Sequence, residues 1–348
     1  MSTLVACILF LGVVVYAIFG GADFGAGIWD LLAGGARRGR KPREVVDRAI
    51  GPVWEANHVW LIFVLVVLWT AFPTAFASIT LTLFVPLALA ALGIVLRGAS
   101  FAFRKGVFRT EEQRVFGAAF AFGSLLVPFF FGCVAGAIAT GRVPAGGVAG
   151  SPWASWVNPT SVLGGVLAVV AVAYLASVFM VFDAGRVADA EMVEYFRRRA
   201  VVAAVVAGVV ALVGIGVIRA DAPYLFDGLT SRALPLVIVS AVGGLGSLVL
   251  LVREEHRFAR VAAIGAVGGI VAAWGVAQWP YVIPESMTVE ATAAPSGTLS
   301  AVVVVFVLAC IFILPAIGFL YALDQRGVLP EEGVEERTDP APTAPASN

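Results

Sequence analysis

The sequence predicts an all-α, polytopic membrane protein, and three observations carry that prediction. Of 348 residues, 60% are hydrophobic and 13% charged, about half the charged share of an average soluble domain. The mean hydropathy is +0.96. Apolar runs of about 20 residues, the length a helix needs to cross a ~30 Å hydrocarbon layer, recur along the whole chain.

Nine such runs are drawn: 4–24, 53–73, 77–97, 115–139, 160–182, 200–219, 233–252, 259–279 and 299–323. The first follows Met1-Ser2-Thr3-Leu4 with no basic n-region and no small-residue cleavage site, so it reads as a retained span; its helix has room to continue to about Ala33. The fifth ends at Asp183, with Arg186 three residues on, an expected ion pair at the interface. The eighth follows the basic connection Arg253-Glu254-Glu255-His256-Arg257, where His256 reads as solvated, and ends at Gln278, Trp279 and Tyr281, which suit an interfacial belt. Residues 140–159 are Gly- and Pro-rich, 280–298 are polar and mildly acidic, and the tail from Pro330 is too polar to bury apolar surface, so it reads as disordered. The expected organisation is one transmembrane domain over 1–325 and a cytoplasmic tail over 326–348.

Basic residues set the orientation. All of the 23 lysines and arginines except Arg142, Arg219 and Arg232 fall after the first, third, fifth and seventh spans or in the tail. The N-terminus is therefore expected outside and the C-terminus in the cytoplasm of a bacterial cell membrane. Acidic residues also number 23, so the net charge gives no ground for a nucleic-acid partner. Cys7, Cys133 and Cys310 lie in apolar runs without metal-site spacing and read as packing residues.

Chemistry is expected where charge enters the apolar runs. A charge near the bilayer centre costs at least ~2.5 kcal/mol on the mildest scales, so it is neutral, paired or next to a water path. Asp23 follows Gly20 and Gly21 and precedes Gly25, Ala26 and Gly27, small residues that let helices approach closely. It should face protein, as a proton-handling group or as a helix-end carboxylate paired with an arginine. Glu55 opens the second span inside Trp54-Glu55-Ala56-Asn57-His58-Val59-Trp60, and reads either as a proton carrier or as an acid favoured by a helix N-terminus. Trp54 and Trp60 also suit an interfacial belt. Arg97 and Arg104 flank the inner end of the third span, where headgroup contact is the leading reading and pairing with Asp23 or Glu55 the lesser one. Only His58 and His256 are available as haem ligands, so the chain does not read as a multi-haem protein; His58 with Met180 is the one candidate pair.

Two motifs, Asp23-Phe24-Gly25-Ala26-Gly27 and Gly51-Pro52-Val53-Trp54-Glu55-Ala56-Asn57-His58-Val59-Trp60-Leu61-Ile62, together resemble subunit II of cytochrome bd quinol oxidases. The likeness continues at Phe72-Pro73, Leu96-Arg97, Phe103-Arg104, Asn158-Pro159, Trp279-Pro280-Tyr281 and Ile283-Pro284. The resemblance implies nine helices in two four-helix bundles plus a peripheral helix. It also implies a heterodimer with a haem-bearing subunit I that oxidises quinol and reduces dioxygen to water, haem b and haem d residing in that partner. A small accessory subunit, quinol and lipid complete the expected partners. Glu55 would be the principal proton carrier and Asp23 a second carrier or hydrogen-bonding partner, with Trp54, Asn57, His58 and Trp60 shaping the site. Many members carry a further Asp at the positions of Gly20 and Ala102, so a route through those positions is not shared. The rival reading is a proton-coupled secondary transporter using Asp23 and Glu55.

Overall fold

The computed structural model describes residues 1–35, 38–50, 54–106 and 110–325. Helix α1 (Ser2–Leu32) is followed by α2 (Arg40–Ile50), α3 (Trp54–Ala71), α4 (Pro73–Thr82), α5 (Phe84–Gly106) and α6 (Thr110–Ala139). Then come α7 (Pro159–Arg186), α8 (Ala190–Asp221), α9 (Pro223–Thr230), α10 (Leu234–Val252) and α11 (His256–Gln278). A two-stranded antiparallel hairpin, β1 (Tyr281–Ile283) and β2 (Met287–Thr288), precedes α12 (Ser296–Gln325). The tail expected to be disordered lies outside the described residues.

Local chemistry explains several boundaries. Asn158 caps α7 by accepting from the Ser161 amide at 2.9 Å, and Pro159 occupies the first turn, where a missing N–H is no loss. Asp189 caps α8 through the Met192 amide at 3.1 Å. Pro73 opens α4 after a bend of 117° between α3 and α4, because proline cannot continue the preceding ladder of hydrogen bonds.

Among the described residues, seven helices are long and apolar enough to cross a membrane, or eight if the bent α3 and α4 count as one. The difference from the nine drawn spans has a physical origin. The expected third span, 77–97, begins inside α4 and is broken near Leu83, so its apolar run is shared between two helices. The first helix, conversely, does run past Asp23 to Leu32. The amphipathic α2 and the short α9 lie in the connections between the drawn spans.

Alternate connections gather at opposite ends of the molecule. At one end Lys41 of α2 pairs with Glu191 at the start of α8, and Arg197 of α8 lies 3.9 Å from Glu254 between α10 and α11. At the other, Arg142 reaches both Asp221 oxygens at 2.5 and 3.2 Å, and Asp221 accepts from the Thr160 amide at 3.1 Å. The hydrogen bond to Asp221 raises the pKa of Arg142. Helix α1 lies against α3, α6, α7 and α11, so it sits at the centre of the helical array. Its main core includes Leu175, Met180, Phe196 and Leu251. Outward, α8, α10 and α12 present Leu212, Leu245 and Phe312, apolar faces suited to a hydrocarbon solvent.

Candidate functional site

Asp23 and Arg97 meet in the interior. They sit on α1 and α5 and are only 6% and 2% exposed. Arg97 donates through Nη1 to Asp23 Oδ2 at 2.7 Å and through Nη2 to Oδ1 at 2.5 Å, and Nη2 also reaches the Asp23 carbonyl at 3.2 Å. This is the two-pronged geometry in which a guanidinium matches a carboxylate best. The guanidinium is sandwiched by Phe24 and Phe120, whose ring centroids lie 4.8 and 4.9 Å from Cζ, a cation–π arrangement that replaces part of the lost hydration. The headgroup role that led for Arg97 is thereby corrected: the side chain turns inward. Asp23 does pair with an arginine, yet from the body of α1 and not from a helix end.

Small residues make the meeting possible. A Cβ on Gly25 would fall on the Val172 carbonyl of α7, so α1 and α7 touch backbone to backbone there. A Cβ on Gly123 of α6 would lie 2.5 Å from the Gly93 carbonyl and 3.3 Å from Arg97 Cβ, so α5 and α6 are equally close beside Arg97. Trp29 Nε1 donates to the Ala173 carbonyl at 2.7 Å and fixes the end of α1 on α7.

The second motif joins the pair through an aromatic edge. His58 on α3 stands edge-on to Phe24, with ring centroids 6.2 Å apart, and Asn57 beside it is 5% exposed. Trp60 packs on Phe63 at 6.1 Å on the same helix. Glu55 and Trp54 belong to α3, and Arg104 to α5, but their side chains lie outside the described residues. Ala102 is exposed.

Two residues near the pair escaped the sequence reading. Asp30, 5% exposed, accepts from Arg43 Nε of α2 at 2.7 Å. Tyr16 buries its hydroxyl next to the pair, and its ring meets Phe24 edge-on at 6.4 Å. The signal that finds them is the heptad interval, since both lie seven residues from Asp23 on one helix face.

Elsewhere the structure revises one expectation. Gln278 is 3% exposed and its Oε1 is buried without a partner among the described residues, so it is no belt residue. His256 buries Nδ1 at a cavity of about 410 Å³ that also touches Glu194, Arg197 and Glu254. A haem does not fit the His58 and Met180 pair: Met180 is sealed in the core with Leu175 and Phe196, whereas His58 packs on Phe24 in a different apolar cluster. Among the described residues no group of three or more His, Cys, Asp or Glu is placed to hold a metal ion.

With this geometry in hand, likeness to known proteins is informative. The family model described as cytochrome bd terminal oxidase subunit II matches residues 1–323. A cytochrome bd ubiquinol oxidase subunit 2 of Bacillus subtilis (strain 168) is 29% identical over 164 residues, 47% of this chain and 47% of that relative, so the match spans about half of it. A putative cytochrome bd menaquinol oxidase subunit II of the same organism is 21% identical over 336 residues, 92% of this chain and 95% of the relative. A chain in the structure of bd oxidase from Geobacillus thermodenitrificans superposes with a TM-score of 0.75 at 22% identity, covering 92% of this chain and 98% of that one, which is a likeness of fold.

Proposed function

This chain belongs to the cytochrome bd terminal oxidase subunit II family, and on that premise we propose that it is the second large subunit of a membrane quinol oxidase, shaping a proton route from the cytoplasm. Membership implies a complex with subunit I. The buried two-pronged pair of Asp23 and Arg97 is the observation that carries the proton-route reading.

In this reading the chain crosses a bacterial cell membrane nine times as a single domain over 1–325, with its N-terminus outside and its tail inside. The crossings are α1, α3, α5, α6, α7, α8, α10, α11 and the peripheral α12. The gathering of Lys41, Arg43, Arg197 and Arg253 at one end supports that orientation. The partner's haem b and haem d supply the quinol oxidation and dioxygen reduction. A small accessory subunit is accommodated by the exposed apolar faces.

The residues of this chain then divide their work. Arg97 holds both carboxylate oxygens of Asp23, so Asp23 serves as a hydrogen-bonding partner on the route. Glu55, at the opening of α3, is the group that takes up and releases a proton. Asn57 and His58 orient it, Trp54 and Trp60 exclude lipid, and Arg104 is its candidate charge partner. The transporter reading is set aside, because the family is an oxidase family and because Arg97 ties both oxygens of one of the two carboxylates that it needs.

The test is a reduced-minus-oxidised visible spectrum of the material that co-purifies with this chain in mild detergent. Haem b and haem d bands should travel with a second large membrane subunit. A colourless chain without that partner, prepared from native membranes, would overturn the proposal.

A further inference from the structure

Tyr16, Gly20, Asp23, Gly27 and Asp30 follow one another along α1 at intervals of four, three, four and three residues. Such spacing aligns them in one stripe on the helix. At a rise of ~1.5 Å per residue, the stripe is about 21 Å long. Its Asp30 end reaches the surface, because Arg43, which holds Asp30, is 27% exposed in its side chain.

The two glycines on the stripe are occupied by hydroxyl-bearing side chains. A Cβ on Gly27 would fall on Ser124 Oγ of α6, so that hydroxyl sits between Asp23 and Asp30; it donates to the Phe120 carbonyl at 2.8 Å. A Cβ on Gly20 would come within 2.7 Å of the Tyr16 ring, which therefore lies along the helix across Gly20 and toward Asp23. Edge contacts with Phe24 and Phe131, at 6.4 and 6.3 Å, hold the ring there. The Tyr16 hydroxyl is buried, lies within electrostatic reach of Arg97 and Asp23, and has no hydrogen-bond partner among the described residues. Leaving a buried hydroxyl unpaired is unfavourable, and a phenylalanine would fill the same apolar space without that cost.

We propose that Tyr16 is the inner proton relay of a polar line along α1, formed by Asp30, Ser124, the Asp23–Arg97 pair and Tyr16. The inference rests on the reading of this chain as part of a proton-consuming oxidase. Arg97 and Asp23 fix the local field, and the phenol passes the proton. Its oxygen accepts a proton from a water on one side as its own proton leaves to a water on the other, so Tyr16 ends as the neutral phenol it began as. Gly20 is the notch that keeps the hydroxyl on the line.

The test uses the whole quinol oxidase complex carrying Tyr16→Phe. Turnover should fall about tenfold, less than the ~100-fold or more expected for a directly reacting acid or base, because water bypasses a relay in part. The quinol KM and the haem spectrum should stay as in the parent, and the solvent deuterium isotope effect on turnover should change. Gly20→Ala, which displaces the ring, should lower turnover similarly and add nothing further in the Tyr16→Phe background. Parent-like turnover in Tyr16→Phe would overturn the relay, as would loss of haem or of the partner subunit, which would mark the hydroxyl as structural. Absence of quinol oxidase activity in the parent complex would instead overturn the oxidase reading beneath it.

Discussion

Arg97 grips both carboxylate oxygens of Asp23, at 2.7 and 2.5 Å, although 74 residues separate them in the chain. Both side chains are all but sealed from solvent. A pair of this kind contributes less through its attraction than through what its rupture would expose.

Removing one partner should therefore cost more than removing both. Asp23→Leu or Arg97→Met alone should destabilise the folded chain by about 3–5 kcal/mol, and the double variant should recover most of that loss. Arg97→Lys should also be damaging, since an ammonium cannot reproduce the fork. Thermal unfolding of the detergent-solubilised complex measures this; equal melting temperatures for single and double variants would contradict it.

Glu55→Gln should lower quinol oxidase turnover while preserving membrane insertion and haem content, because it removes the ionisable group and keeps the shape. Oxygen consumption with quinol as donor is the measurement. Parent-like turnover at full haem content would remove Glu55 from the route.

Gly25→Ala should cost about 1–3 kcal/mol or prevent assembly, because the added carbon meets the Val172 carbonyl, which cannot move aside as a side chain would. Gly98→Ala, also in a helix but with nothing within 4 Å of its added carbon, is the control and should be neutral or slightly stabilising. Comparable yields of monodisperse protein for both would argue against the backbone contact of α1 with α7.

Arg142→Ala should be mild, about 1 kcal/mol or less, since the Arg142 side chain is 39% exposed and such pairs are screened by water and salt. The difference in melting temperature from the parent should shrink further at high ionic strength. An effect as large as that of Arg97→Met would mean that the 140–158 connection is far more central to stability than its exposure suggests.

Much of this architecture is legible in the sequence, and the illegible parts share a cause. Hydropathy reveals the long helices because each must bury or expose twenty apolar residues to one solvent. Asp23 and Glu55 stand out because charge is scarce in such runs. The partner of Asp23 is less visible: Arg97 has the same composition around it whether it turns to a headgroup or inward, and the choice is made by the close approach at Gly93 and Gly123. The break near Leu83 falls inside an unbroken apolar stretch, so hydropathy cannot register it. Tyr16 and Asp30 are readable by their heptad interval, but both lie outside the glycine-rich motif that makes Asp23 stand out.

The bend after α3 also affects the lipid around the protein. With 18 residues, α3 spans about 27 Å, while the 32 residues of the outward-facing α8 span about 48 Å, and α4 departs at 117° instead of extending α3. Neighbouring acyl chains therefore meet walls of unequal height. Along the α3 edge the bilayer must thin or α3 must stand more upright than α8, a mismatch that makes acyl-chain length a determinant of how this subunit sits and which membranes suit it.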